Sequence, residues 1–379
     1  SPVQVGSLTN WKQISGGDIY HILSIKTDGT LWAWGYNQFG NLGNGTTLKY
    51  SSPIQVGSLT TWAYASAGVL TSFGIKTDGT LWAWGWNSAG SLGNGNTISY
   101  SSPVQVGSLT NWSKVKSNGD STFAIKSDGT LWGWGRNDYG QLGNGTTRYY
   151  SSPIQVGSLT NWKYIHVSAY AAHAVKTDGT MWTWGHEAGY GNMGVNSISY
   201  TVSSPVQIGS LTNWKYISGT STMTSAIKTD GTLWAWGVGV GGDLGNGTTL
   251  KYSSPIQVGA LTTWVNVIGS RAVSSSGVLW AWGQNNYGQL GAPKTYLGNS
   301  SSPVQLGLLT NWKQVSAGFV NISAIKTDGT LWIWGSGEYG QLGNGTRVYY
   351  SSPIQVGSLT NWKQITCSYG WLAIADGYY

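Results

Sequence analysis

Short stretches of alternating apolar and polar residues run the length of the chain, separated by turn residues. No window carries helical apolar spacing with capping residues. The first stretch of each unit has the form Trp-Lys-Gln-Ile-Ser; Ala-Ile-Lys, Thr-Leu-Trp-x-Trp and Ser-Pro-x-Gln-Val follow. Their β-branched and aromatic residues predict four strands. Alternation in Leu-Trp-x-Trp sets both indoles on one face and the leucine and a small residue on the other. Proline in the fourth stretch cannot donate to a ladder, which predicts an edge strand. The Thr-Asp-Gly link between the second and third strands predicts a two-residue Asp-Gly hairpin of type I′, with φ > 0 at both central positions.

The whole pattern repeats. Ser-Pro-[Val/Ile]-Gln-[Val/Ile]-Gly recurs with its proline at Pro2, Pro53, Pro103, Pro153, Pro205, Pro255, Pro303 and Pro353, at intervals of 48 to 52 residues. Asp-Gly-Thr-Leu-Trp-x-Trp-Gly recurs seven times with small departures. Its tryptophan pairs are Trp32/Trp34, Trp82/Trp84, Trp132/Trp134, Trp182/Trp184, Trp234/Trp236, Trp280/Trp282 and Trp332/Trp334. Leu-Thr-x-Trp supplies Trp11, Trp62, Trp112, Trp162, Trp214, Trp264, Trp312 and Trp362, so that of 24 tryptophans only Trp86 and Trp371 fall outside the frame. Four-stranded antiparallel units at this period predict a β-propeller, a single domain over 1–379 with repeats starting near 2, 53, 103, 153, 205, 255 and 303 and a partial copy at 353–379. A lone unit would leave an apolar face bare. Blade-on-blade packing covers it, with the paired tryptophans as structural filler, stacked indole on indole.

The motif Asp-Gly-x-[Leu/Val]-Trp-x-Trp-Gly is followed by Asn-x-x-Gly-Gln-Leu-Gly at 137–143 and 285–291. In this the chain resembles the propellers of the regulator of chromosome condensation type, over nearly its whole length. The resemblance implies an all-β ring of seven blades closed by pairing the two chain ends. Counting units from the third strand leaves 1–28 as a surplus fourth, first and second strand. The alternative is therefore eight blades, the last one composite. Two units depart from the frame: the fourth has a longer loop at 186–193, and the sixth loses its hairpin aspartate (Ser275-Ser276-Gly277) and gains 292–298.

Composition narrows the chemistry. Charged residues are 9% of the chain, there are 57 glycines, and no apolar run approaches the ~18 residues of a membrane helix. One cysteine, Cys367, excludes an internal disulfide framework. The net charge of +7 permits a polyanionic partner without pointing to one. Ser1-Pro2-Val3-Gln4 lacks the basic start and apolar stretch of a secretory signal. Seven of the 13 acidic residues belong to hairpin turns, and the rest (Asp18, Asp120, Asp138, Asp243, Glu187, Glu338) are unpaired in sequence. His21, His166, His173 and His186 lack metal-ligand spacing. Gly237 to Gly242 fits G-x-G-x-x-G but runs into another turn rather than a helix. The Asn-Gly-Thr triplets at Asn44, Asn144, Asn246 and Asn344 are turn chemistry before they are glycosylation sites. The lysine before each hairpin (Lys26, Lys76, Lys126, Lys176, Lys228, Lys326) reads as a solvated partner of the aspartate two residues on, ahead of a phosphate-binding rim. No catalytic residue, metal site or cofactor is expected.

Differences among the copies concentrate in two windows, one joining the first and second strands and one following Trp-Gly. Both are expected to open on one face of the disc, because the first and third connections of an antiparallel blade emerge on the same side. Loops on a rigid scaffold carry recognition residues, and tyrosine and tryptophan give contact area at low entropic cost. The candidate binding residues are Tyr20, His21, Tyr36, Phe39, Trp86, Arg136, Tyr139, His186, Glu187, Tyr190, Gln284, Tyr287, Glu338, Tyr339, Tyr369 and Trp371. The first expectation for function is a non-enzymatic recognition or adhesion propeller for a protein or glycan, extracellular, cell-surface or virion-associated, of bacterial or phage-like type. The second, implied by the resemblance, is a guanine-nucleotide-exchange or chromatin-associated scaffold, with nucleic acid as a weaker partner; the alternative location is cytoplasmic. A hydrolase or lyase comes last.

Overall fold

A computed structural model describes residues 10–16, 21–118, 120–168, 171–187, 189–196, 201–220, 222–291, 298–318, 321–338, 342, 346–367 and 371–375. The first blade consists of β1 (Trp11–Gly16), β2 (His21–Lys26), β3 (Leu31–Gly35) and β4 (Tyr50–Gln55), paired antiparallel in chain order. Six more four-stranded sheets follow, at 62–105, 112–155, 162–207, 214–257, 264–305 and 312–355. Seven blades therefore form, as expected. The frame as folded begins at each Leu-Thr-x-Trp strand, so β1 and β2 belong to the first blade rather than to a surplus. The extra piece is a two-stranded hairpin, Trp362–Cys367 with Trp371–Ala375, and no eighth four-stranded sheet forms among the described residues.

The first strand of each blade packs against the first strand of the next, and strand Trp362–Cys367 packs against the first strands of both blade seven and blade one. That contact closes the circle and places the first strands innermost. The fourth strands are the outer edges, as the prolines require.

Neighbouring blades meet through unlike faces. Leu23, Ile25, Leu31 and Ala33 of blade one form one cluster with Trp62, Ala65 and Trp84 of blade two. This corrects the expectation of stacked indoles sealing the junction: the tryptophans of one sheet meet the aliphatic face of the next. Within a blade the three frame tryptophans do not stack in parallel either. In blade two Trp62 lies 6.4 Å from Trp82 and 6.1 Å from Trp84, edge to face. Trp34 and Trp334 differ from their counterparts by a shallower tilt, 52° to Trp11 at 6.0 Å and 55° to Trp312 at 6.2 Å.

The second indole of each pair is buried, from 0% exposed in Trp334 to 8% in Trp34. In blades two to seven it also reaches across the junction. Trp84 donates its Nε1–H to the Asn41 carbonyl (3.0 Å), and Trp134, Trp184 and Trp236 donate to Ser91, Gln141 and Asn192 (2.8 Å each). Trp282 donates to Asp243 O (2.9 Å), and Trp334 to Gln289 O over a longer 3.2 Å. These tryptophans are thus polar ties between loops as well as filler. Gly43, at φ +75°, makes room: a Cβ there would lie 2.7 Å from Trp84 Nε1.

Two expectations about the hairpin fail. Lys26 N donates to Thr30 O and Gly29 N to Lys26 O, so three residues, Thr27, Asp28 and Gly29, span the turn. Only Gly29 takes a positive φ (+78°), which makes this a type I turn closed by a glycine bulge. Asp28 instead accepts hydrogen bonds from Thr30 N (2.9 Å) and Oγ1 (2.7 Å), and these hold its carboxyl below the usual range. The lysines are not solvated partners of the aspartates either. Lys26 is 4% exposed, and its Nζ lies 3.7 Å from the Trp32 ring centroid and 5.3 Å from that of Trp11. Lys76, Lys126, Lys228 and Lys326 sit the same way, 3.6 to 3.9 Å above Trp82, Trp132, Trp234 and Trp332. Burial lowers the pKa of Lys26, Lys76, Lys228 and Lys326. Of these lysines only Lys176 comes within ion-pair distance of its aspartate among the described residues, at 3.5 Å from Asp178. The register decides this outcome: it pairs Lys26 across from Trp11.

The two indoles of a pair differ in what their loss removes. Trp134→Phe leaves the Ser91 carbonyl without its buried indole donor and opens space between blades, a cost of about 2–3 kcal/mol. Trp132→Phe loses a hydrogen bond to the Thr130 hydroxyl and weakens the contact with the Lys126 ammonium at a half-buried position, about 1 kcal/mol. Denaturant melts of the two variants are expected to fall in that order; equal midpoints would contradict the account of the junction.

Candidate functional site

In blades two, three and five the two divergent windows are bonded to each other. Trp86 N donates to Leu70 O (3.0 Å), Arg136 N to Asp120 O (2.9 Å) and Val238 N to Thr222 O (3.0 Å), in each case joining the third connection to the first. In blade six, whose first connection is shorter, Trp282 N donates to Ser270 O (3.0 Å). The hairpin turns and the inter-blade linkers meet at the opposite face, as in Thr77 N to Thr61 O (2.8 Å).

A buried asparagine shapes the third connection. Asn37 Nδ2 donates to the carbonyls of Leu48 (2.8 Å) and Thr46 (3.0 Å), and its Oδ1 accepts from Leu42 N (2.8 Å). Asn87 repeats the set, and Asn137 and Asn285 repeat parts of it. Asn44, one of the sequon asparagines, accepts from Thr46 N and Oγ1, a local turn. The divergent side chains therefore stand on a loop with fixed backbone.

These side chains pair across blade boundaries. Phe39 of blade one meets Trp86 of blade two edge-on, with centroids 4.4 Å apart. Tyr139 of blade three stacks on His186 of blade four at 4.6 Å. Phe39 and Tyr139 hold the same position in their units, as do Trp86 and His186. Tyr36 lies 6.5 Å from Phe39 and carries the Lys49 ammonium 4.9 Å from its centroid. Tyr287 stacks on Tyr349 at 5.8 Å, and Tyr349 Oη donates to Glu338 (3.1 Å).

Blade three adds charge. Arg136 Nε lies 2.6 Å from Asp138 and Nη1 3.4 Å from Asp120, and Tyr149 Oη donates to Asp138 (2.6 Å). The Tyr149 hydroxyl, then Arg136, hold the Asp138 carboxyl below its usual range, and the same bond to Asp138 raises Tyr149. The result is a partly exposed ionic group beside the Tyr139–His186 stack.

Not every candidate lies on this face. His21 is the first residue of β2, 2% exposed, with Nε2 2.7 Å from Ser72 Oγ of the next blade. Trp371 opens a strand rather than sitting in a loop. Glu187 is 6% exposed, at the position held by Asn37 in blade one. Tyr190, Gln284, Tyr287 and Glu338 are exposed. Tyr20, Tyr339 and Tyr369 lie outside the described residues. Asp120, Asp138, Lys49, Tyr149 and Tyr349 were missed. The last three come late in the third connection, after Asn-Gly-Thr, beyond the divergent window that follows Trp-Gly. Among the described residues no three His, Cys, Asp or Glu gather as metal ligands, and no helix is long and apolar enough to cross a membrane.

A model of the Regulator of chromosome condensation (RCC1) repeat matches residues 28–75, 78–125, 128–175, 230–271, 276–319 and 328–373, and a second model of the repeat matches 11–41 and 112–141. The ultraviolet-B receptor UVR8 of Arabidopsis thaliana is 48% identical over 44 residues, 12% of this chain and 10% of that protein, so the aligned part spans a tenth of this curated relative. Human WBSCR16 superposes with a TM-score of 0.67 at 18% identity, covering 98% of this chain and 88% of that one. Yeast RCC1 (Prp20) bound to Kap60 gives 0.63 at 17% identity, over 97% of this chain and 81% of that one. Prp20p from Saccharomyces cerevisiae gives 0.62 at 18%, over 96% and 82%. At these identities the superpositions show a shared fold.

Three histidines lie beneath the face, in the blade walls. Burial lowers His21 and His166 to about 4, and His173, whose ring lies 6.4 Å from that of His166, to about 3. Unfolded imidazoles take up protons below pH 6.5, whereas the folded ones stay neutral until about pH 4. Between those values the unfolded state binds more protons, so stability is full above pH 6.5 and falls as pH is lowered toward 4. The hairpin aspartates, with lowered pKa, add their own loss only below 3.8. Thermal melts in a buffer series are expected to show the upper step, and His173→Gln to shrink it; a melting temperature that is flat from pH 6.5 to 4 would refute it.

Proposed function

The chain belongs to the regulator of chromosome condensation repeat family, and from that premise we propose that it is a non-catalytic recognition propeller that holds a protein partner on its loop face. One observation carries this reading: both divergent windows of a blade are hydrogen-bonded into a single surface over a near-invariant frame. Phe39–Trp86, Tyr139–His186 and Tyr287–Tyr349 supply aromatic anchors, and Arg136 between two aspartates supplies directional polar contacts. Aromatic residues and arginine dominate the binding energy of protein interfaces. One protein of the same fold, yeast Prp20, supports a protein partner over a glycan: one structure shows it bound to Kap60, and another describes its binding properties to Gsp1p and histones.

The immobilised chain should retain at least one of Gsp1p, Kap60 and core histones in a pull-down. The combined variant Trp86→Ala, Tyr139→Ala, Tyr287→Ala should lose that binding tenfold or more and keep its unfolding transition, because these side chains are partly exposed. Binding that survives the triple substitution, or failure to bind any of the three, would count against the reading. Nucleotide release from Gsp1p on mixing would move it to an exchange function.

A further inference from the structure

Six blades carry a lysine ammonium over a pair of indoles, and blade six does not. The residue at the lysine position there is Ser274, Ser276 replaces the aspartate, and Val278 replaces the threonine. The backbone is unchanged: Ser274 N donates to Val278 O and Gly277 N to Ser274 O, both at 2.9 Å, and Gly277 keeps its positive φ (+74°). The aromatic walls are unchanged too. Trp264 and Trp280 meet at 5.9 Å and 72°, against 6.1 Å and 78° for Trp214 and Trp234 in blade five, where Lys228 Nζ lies 3.6 Å from one ring centroid and 4.8 Å from the other.

Three consequences follow from the exchange. Neither indole of blade six faces a cation among the described residues. Trp280 Nε1–H, which its counterparts donate to a threonine hydroxyl at 2.8 to 2.9 Å, has no partner and is shielded from solvent. Ser276, exposed and 2.8 Å from Ser274 Oγ, presents a hydroxyl where the other turns present a carboxylate. Trp280 itself is half-buried, so part of its ring meets solvent.

The geometry points to blade six as a receptor for a primary alkylammonium group, such as a lysine side chain, on the face opposite the recognition loops. An ammonium over an indole is held by the ring quadrupole, most strongly where it is partly desolvated. The other blades show that this pair of rings, at this spacing, accepts such a group, and that its stem enters from the strand position now occupied by serine. An external ligand would bring both stem and charge, with the Ser276 hydroxyl as acceptor for an ammonium N–H.

The test uses the whole chain and n-butylammonium chloride, which reproduces a lysine side chain from Cβ outward. The ¹⁵N–¹H indole resonance of Trp280, assigned with Trp280→Phe, is followed during titration against sodium chloride and n-butanol controls. A saturable shift with n-butylammonium alone is expected, with a midpoint in the millimolar range. Ser274→Lys should supply the ammonium internally, move the Trp280 resonance without ligand and abolish the response. Calorimetric titration of Trp280→Leu, with folding checked by circular dichroism, provides a second comparison and should show at least a fivefold loss of affinity. Absence of a saturable shift, an equal response to n-butanol, or binding that persists in Ser274→Lys or is undiminished in Trp280→Leu would overturn the site.

Discussion

The bond from the second tryptophan of a blade to the loop of the blade before it governs both halves of this molecule. The ring fills the junction and the N–H fixes the loop. The accepting carbonyl is shared: Asn41 O takes Trp84 Nε1–H and the Ser72 hydroxyl, Ser91 O takes Trp134 and Thr122, and Asn192 O takes Trp236 and Thr224. Both lone pairs of a buried carbonyl are thereby used, and a buried carbonyl stripped of its donors is costly. Each of these carbonyls lies within a few residues of a divergent position. Packing one sheet on the next and holding the divergent loop still are thus one event.

The same bond explains why the frame tolerates so little change. An indole at the second position must fit the other two tryptophans of its own sheet, an aliphatic face on the neighbouring sheet and a carbonyl above it. Gly43 must stay small because the indole occupies the place of its side chain. The exposed residues of the third connection answer to none of these constraints. Divergence therefore collects where no buried neighbour dictates the side chain, and the aromatic residues found there pack on one another across blade boundaries.

Strand content and the edge position of the proline strand were legible in the sequence because each rests on local periodicity; counting repeats left seven or eight blades, and the family resemblance supplied seven. Periodicity also placed both indoles of Trp32/Trp34 and Trp332/Trp334 on one face, but it carries no ring angles, and in place of a parallel stack each meets the first-strand tryptophan, Trp11 or Trp312, tilted or edge-on. The other errors share a cause in register. Lys-Thr-Asp-Gly-Thr accommodates either a two-residue or a three-residue turn, and the choice determines whether the lysine faces an aspartate or an indole. His21 and Trp371 had read as loop residues because their strands begin earlier than the invariant Ala-Ile-Lys segment. Counting from the third strand also mistook the first half of a blade for a remainder: β1 and β2 complete the first blade, and the extra strands are instead the hairpin Trp362–Cys367 with Trp371–Ala375. The ionic group of Arg136, Asp120, Asp138 and Tyr149 was only partly visible, since its members come from two connections joined by the fold alone.

The lysine over the indoles shows why such a hidden arrangement is kept. An ammonium removed from water needs compensation, and a carboxylate in bulk solvent offers little at the surface. Two ring faces at steep angles offer more, because the lysine stem also covers apolar surface that the turn would otherwise expose. The aspartate is then free to bond the threonine, the threonine hydroxyl accepts from the first indole, and the turn closes as a chain of short contacts. Removing the lysine, aspartate and threonine together, as blade six does, leaves every backbone bond of that turn in place. The polar cluster is therefore an addition to the turn and not its foundation: the glycine bulge alone sets the geometry, and the side chains above it remain open to other uses.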